Sequence, residues 1–388
     1  MTGPRALSAP RPGPAGRRTI VQLLPALESG GVERSTLEIA AALVAAGHRA
    51  LVVSAGGRLV PRLLALGAEH ITLDIGRKSL LALRHVRPLR AVLLGERADL
   101  VHARSRLPAW LGWHAVAGID PGTRPRFVTT VHGLNSPSRY SAVMTRGERV
   151  VCVSDTVRRY VLRHYPGIDA ARLRVIPRGI DPVDFPRAVR PDAGARGWAE
   201  SLYPALGGRG PLLLLPGRGT RLKGHADALE LLAALRASGL DARLWLPGAR
   251  EPGRGAYVRE LEAQAAALGL DGVVAFSPPT DAIARAYAAS DLVLQLSRKP
   301  EAFGRTVLEA LSVGRPVLGW AHGGVGELLE QLQPSGAVAA FDTASLAQTA
   351  AALLTELPAL PPSIPYTLGA MQDATLAVYA ELLDPACR

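Results

Sequence analysis

The sequence predicts an α/β protein built from two Rossmann-like domains. Three observations predict it. Apolar runs of strand length alternate with helical stretches, the alternation runs twice along the chain, and the charge balance changes sign between the two series. Strands that alternate with helices build parallel sheets covered on both faces, so their strands read as continuous apolar runs. With 388 residues and 48% apolar side chains, the chain can fill two cores of ordinary size.

The first series holds TIVQLL (19–24), ALVVSA (50–55), LVHA (100–103), FVTTV (127–131) and VVCVS (150–154). The second holds PLLLLP (211–216), RLWLPG (243–248), VVAFS (273–277), DLVLQLS (291–297) and PVLGW (316–320). Helical stretches such as 32–47 and 225–239 lie between them. A Pro-, Gly- and Ala-rich stretch over 181–208 separates the series, which places a first domain at 19–185 and a second at 186–366. A final helix is expected over 367–383, after the Pro-rich 357–366. Residues 1–18 are rich in Pro, Gly and Arg and lack the apolar core of a secretory signal, so they read as a disordered basic leader.

The net charge of +12 is uneven. Residues 1–190 hold 29 basic and 13 acidic side chains, and residues 191–388 hold 16 and 20. The excess thus lies in the first half, where it points to an anionic partner: nucleic acid, a lipid surface or a phosphorylated substrate. Of the 45 basic residues only Lys78, Lys223 and Lys299 are lysines, which makes the placement of each informative. Aromatic residues are scarce at 5%, which argues against a stacking surface for single-stranded nucleic acid. Cys152 and Cys387 are too few for a disulfide framework or a metal cage and fit a reducing compartment. No apolar run reaches spanning length. A GK[ST] loop, a zinc-ligand spacing and a G-x-S-x-G elbow are all missing from the sequence.

Four segments carry chemistry. Gly30 and Gly31 follow a strand and open a helix, where N–H groups face an anion; a plain tight turn explains them equally well. Arg218 and Lys223 share one loop beyond a strand end, a pairing suited to a diphosphate. In EAFGRTVLE, Glu301 lies on a loop, Gly304 leaves the next helix start open, and Glu309 falls about one turn into the helix 305–313. A carboxylate there suits ribose hydroxyls, although an isolated helix glutamate ordinarily faces solvent. His132 closes the strand FVTTV, at the strand end where ligands gather in open sheets. Ser154 reads as a helix cap.

Taken together, these segments resemble glycosyltransferase family 4, the retaining nucleotide-sugar enzymes of GT-B fold, in which two Rossmann-like domains face each other across a cleft. LPALESGGVER, VHG (131–133), VIPRGID (175–181), GRGTRLKG (217–224), EAFGRTVLEA (301–310) and GRPVLGWAHGG (314–324) carry the resemblance in the family's order. It implies a transferase that moves a hexose-type sugar. Gly30, Gly31, Arg218, Lys223, Phe303 and Gly304 would hold the donor's diphosphate and sugar. His132 and Glu301 would serve at the reacting centre, and Glu309 would bind the ribose. The resemblance implies no metal and no cofactor beyond the donor, front-face attack, and a final helix packed on the first domain. Arg178 stands where many members have Asn, and Pro278-Pro279 where many have Gly.

The basic first half, with Arg104, Arg106, Trp110 and Trp113 after a strand end, resembles members that build lipopolysaccharide core and other bacterial surface glycans. The expectation is an anionic, lipid-linked acceptor and a cytoplasmic enzyme attached peripherally to the inner face of the membrane, with no nucleic-acid partner. Two other readings stay open here: a nucleotide-sugar epimerase or hydrolase of the same architecture, and a basic nucleic-acid-binding protein.

Overall fold

The computed structural model describes residues 16–28, 30–77, 80–190 and 192–384. Ser29, Lys78, Cys387 and most of the expected leader lie outside the described residues. The leader's end does not: Arg18 pairs with Asp99 at 3.1 Å, and its carbonyl accepts from Arg49 N at 2.8 Å. The chain divides into two compact units, one of residues 1–153, 158–176 and 372–388, the other of 154–157 and 177–371.

Unit 1 runs β1 (Thr19–Leu23), α1 (Gly31–Ala45), β2 (Arg49–Ser54), α2 (Val60–Ala65), β3 (Glu69–Thr72), α3 (Val86–Gly95), β4 (Leu100–Ala103), α4 (Arg106–Ala117), β5 (Arg126–Val131), β6 (Arg149–Cys152), most of α5 (Asp155–His164) and β7 (Leu173–Val175). Its seven strands are parallel in the order β3-β2-β1-β4-β5-β6-β7. The central strands are buried on both faces, as the continuous apolar runs require. Polar residues break the pattern at Gln22, His102 and Thr130, all buried.

Unit 2 runs α6 (Ala193–Leu202), β8 (Leu212–Leu214), α7 (His225–Ala237), β9 (Arg243–Pro247), α8 (Gly255–Ala267), β10 (Val274–Ser277), α9 (Ile283–Ala289), β11 (Leu292–Gln295), α10 (Arg305–Val313), β12 (Val317–Trp320), α11 (Gly323–Leu332), β13 (Ala337–Val338) and α12 (Thr343–Thr355). Its six parallel strands lie in the order β10-β9-β8-β11-β12-β13. Renumbered from one, that is the doubly wound order 3-2-1-4-5-6, and unit 1 repeats it with a seventh strand added. In both sheets the order reverses beside the first strand of the unit. That crevice, at the carboxyl ends of the strands, is where such sheets bind ligands.

The last helix, α13 (Leu368–Leu383), begins in unit 2 and belongs to unit 1 from Gln372 onward. Within unit 1, Gln372 Nε2 donates to Glu38 O at 2.8 Å, and Glu381 pairs with Arg149 and Arg174. The boundaries differ from the expected 185/186 and 366/367. Ile180 bridges Thr367 in parallel, and Leu368 N donates to Ile180 O at 2.7 Å. These bonds tie 177–185 to 367–371 inside unit 2, so the divide falls at Ile176/Pro177 and Met371/Gln372.

Candidate functional site

In unit 2 the crevice lies between the loops that follow β8 and β11. The β8 loop carries Arg218, which is exposed, and Lys223, which closes a short 3-10 turn. Gly224 then starts α7 with φ 76°, and a Cβ there would collide with Leu296 O, so only glycine lets the two loops touch. The contact brings Lys223 Nζ to 2.5 Å from Glu301 Oε1, with both side chains about three-quarters buried. Ser297 Oγ also donates to Glu301 Oε1. The sequence-predicted cation and carboxylate are thus direct partners, a relation their separation along the chain does not reveal.

Beyond Glu301, Phe303 is buried and Gly304 caps α10 with φ 118°. A Cβ at Gly304 would meet Val325 Cγ2 at 2.9 Å. No side chain caps α10 and its first turn holds no carboxylate, so its dipole and leading N–H groups favour an anion. Gly324 N, at the start of α11, donates to Glu301 O at 2.7 Å and fixes the loop from the other side.

Glu309 is only 7% exposed, unlike an ordinary helix glutamate, and Tyr287 Oη donates to its Oε2 at 2.9 Å. Burying a carboxylate costs stability unless hydrogen bonds hold it, so this position is built for a polar role. Beneath the loop that carries Arg218 and Lys223, the His225 ring is fully buried. Burial pushes its pKa down to about 4, and the neighbouring Thr220 and Gly217 backbone groups offset that only in part.

In unit 1, Gly30 caps α1 with φ 140° and Gly31 opens it, at the carboxyl end of β1. His132 follows the last residue of β5 and is half-buried. The neighbouring loop is anchored by Asn135, whose carbonyl accepts from Tyr160 Oη. Beneath these ends runs a buried polar chain: His102 Nε2 lies 2.6 Å from Thr130 Oγ1, and Nδ1 lies 2.5 Å from Tyr379 Oη on α13.

Arg104 corrects the expectation of a surface acceptor residue. It is 2% exposed, donates to Gln22 Oε1 at 2.6 Å, and approaches Ser35 Oγ. Its place one residue past β4 turns the side chain inward against α1. Arg106 and Trp110, on the outer face of α4, remain partly exposed. Arg106 lies 5.5 Å over the Tyr140 ring, and Trp110 Nε1 donates to Tyr140 O at 2.9 Å.

Ser297, Tyr287, His225 and Gly324 are neighbours of the candidate residues that sequence reasoning misses. Ser297 and His225 carry a signal, because each adjoins a segment already singled out. Tyr287 sits on α9 with no local pattern to mark it. Ser154 does cap α5, accepting from Val157 N at 3.1 Å, and its hydroxyl also donates to Ala302 O at 2.6 Å.

The comparisons with known proteins agree with this architecture. The family model "Glycosyltransferase Family 4" matches residues 29–184, and "Glycosyl transferases group 1" matches 204–360. The chain belongs to glycosyltransferase family 4 and has the GT-B type of fold, with two parallel-sheet Rossmann-like domains. It is 32% identical to a D-inositol 3-phosphate glycosyltransferase of Xylanimonas cellulosilytica over 251 residues, 58% of this chain. That match spans 56% of the relative's own length. A glycosyltransferase of Rickettsia africae superposes with a TM-score of 0.82 at 26% identity, covering 95% of this chain and all of the other. Anabaena HepE, solved with UDP and glucose, has the same fold, with a TM-score of 0.74 at 21% identity over 95% and 96% of the two chains.

Proposed function

We propose that the chain is a retaining glycosyltransferase that moves a hexose-type sugar from a nucleoside diphosphate to an anionic acceptor. The observation that carries this reading is the crevice of unit 2, where Lys223, Glu301 and the uncapped start of α10 converge with Gly304.

The diphosphate docks on Arg218, Lys223 and the leading N–H groups of α10. Negative charge grows on its oxygens as the bond to the anomeric carbon breaks, and these groups stabilise it electrostatically. They do the work a metal does elsewhere, so the proposed reaction needs none. Glu301 takes hydroxyls of the transferred sugar, and its pairing with Lys223 sets both groups before the donor arrives. Glu309, oriented by Tyr287, takes the ribose hydroxyls. The acceptor hydroxyl attacks the face from which the diphosphate leaves, and its proton passes to the departing phosphate oxygen. The new C–O bond therefore keeps the anomeric configuration. His132 holds the transferred sugar, and Gly30 and Gly31 admit the donor and acceptor.

The acceptor is assigned to unit 1 from its basic surplus, with Arg106 and Trp110 as contacts. A lipid-linked or lipopolysaccharide-core glycan at the inner membrane face fits that charge. Among the described residues no helix is long and apolar enough to cross a membrane, so attachment would be peripheral. The name of the Xylanimonas relative supplies a phosphorylated acceptor, which shares the anionic chemistry. The test incubates the protein with nucleotide-sugar donors and a panel of anionic acceptors, and follows diphosphate release and product configuration by NMR. Acceptor-dependent release with a retained anomer supports the reading. Donor isomerised or hydrolysed equally fast without acceptor overturns it in favour of an epimerase or hydrolase.

A further inference from the structure

Unit 1 carries a groove of about 900 Å³ at the amino ends of β4 and β5, opposite the strand ends that carry Gly30 and His132. The six-residue β5 separates the groove from His132 by about 20 Å, so it is not part of the reacting crevice. Its wall is apolar where α3 and α4 end, and Leu94 stands 50% exposed there. Its rim is basic, with Arg97, Arg124, Arg126 and Arg146.

The carboxylates of the groove are already engaged. Asp99 binds Arg18 and Thr19 N, while Glu148 binds Arg126 and Phe127 N. Arg97, Arg124 and Arg146 are all exposed, and none forms a salt bridge among the described residues. Arg124 donates to the Ala117 and Ile119 carbonyls at the end of α4, and Arg146 lies 5.3 Å over the Trp113 ring. Arg97 holds φ 49°, a conformation that costs a long side chain more than it costs glycine.

An apolar wall under a rim on which Arg97, Arg124 and Arg146 carry no carboxylate partner among the described residues, with Trp113 beside Arg146, matches an anionic amphiphile: phosphate on these arginines, ring at the interface, acyl chain on the wall. Resting on the membrane reading of the acceptor, we propose that this groove binds an anionic lipid of the bilayer and seats unit 1 on the membrane. The reacting strand ends are then left to the acceptor.

Co-sedimentation with phosphatidylcholine vesicles, with and without phosphatidylglycerol, tests the proposal. The proteins are wild type, the double variant Arg97→Glu/Arg146→Glu, and the charge control Arg259→Glu on the exposed face of α8. Wild type should sediment only with the anionic vesicles. The double variant should lose at least tenfold in partitioning, and the control less than twofold. A nucleoside-diphosphate thermal shift equal in all three proteins shows that the fold and the donor crevice are intact. If wild type and double variant sediment alike, the groove assignment fails while the membrane reading stands. If wild type never sediments, both fail. A self-association without lipid that the double variant abolishes would give the groove to a second copy of the chain and also overturn the proposal.

Discussion

Lys223 and Glu309 are the residues whose loss separates function from folding. Lys223→Ala removes the cation proposed to meet the diphosphate and leaves Glu301 with Ser297 as a partner. Glu309→Ala removes the carboxylate proposed to bind the ribose and leaves the Tyr287 hydroxyl without this acceptor, a stability cost of about 1–3 kcal/mol. Each variant should lose at least about a hundredfold in kcat/KM, the scale of one transition-state contact worth about 3 kcal/mol. Circular dichroism should remain that of the wild type. Steady-state kinetics at saturating acceptor check this, and near-normal turnover in both would remove the donor assignment. His225 makes a separate prediction. Its pKa in the folded chain is about 4, against an ordinary histidine value of 6.5, so the unfolded chain takes up the proton first as pH falls. Stability from this group is full above pH 6.5 and is lost on the way down to about 4, by up to about 3 kcal/mol. Urea titrations across that range should show the fall, and His225→Asn should flatten it.

At the level of elements, Gly224 and Gly304 are the joints that let loops approach. Gly224→Ala places a Cβ against Leu296 O and strains a left-handed backbone, at about 1–3 kcal/mol. It should push Lys223 away from Glu301 and lower kcat/KM at least about tenfold, with a smaller loss of thermal stability; unchanged kinetics would count against the paired-loop geometry. Much of the element pattern was legible in the sequence. Ten strands follow the apolar runs, and α10 begins and ends where the glycines at 304 and 314 place it. The strands that were missed, β3 (EHIT), β7 (LRV) and β13 (AV), are short and all lie at sheet edges, where they are only partly buried and carry no continuous apolar run. The candidate residues were legible one at a time, because loop glycines and scarce lysines stand out. Their partners were not. Pairing Lys223 with Glu301, or Glu309 with Tyr287, depends on strand order, and strand order is a tertiary property. Arg104 shows the converse: a cation beside a strand end looks like a surface contact until the packing of α1 buries it.

For the whole molecule, the charge of +12 resolves into a basic first half and a slightly acidic second half. The proposed donor crevice calls on only two cations, Arg218 and Lys223, and the remaining surplus lies in the half proposed to take the acceptor. Binding to anionic vesicles should therefore weaken steeply as salt shortens the Debye length from about 10 Å at 0.1 M toward about 3 Å at 1 M, whereas diphosphate binding in the partly buried crevice should weaken much less. Vesicle sedimentation and calorimetry over one salt series compare the two. Equal salt dependence would mean that one surface serves both.

The central claim is that the crevice between the β8 and β11 loops holds a nucleoside diphosphate. A thermal-shift screen of nucleoside diphosphates against wild type, Lys223→Ala and Glu309→Ala tests it most directly. A ligand present at about a hundred times its Kd stabilises the native state by about 2.7 kcal/mol, enough to raise Tm by a few degrees. The account predicts such a rise for at least one diphosphate with wild type and its loss in both variants. No rise with any diphosphate, or an equal rise in all three proteins, would contradict it.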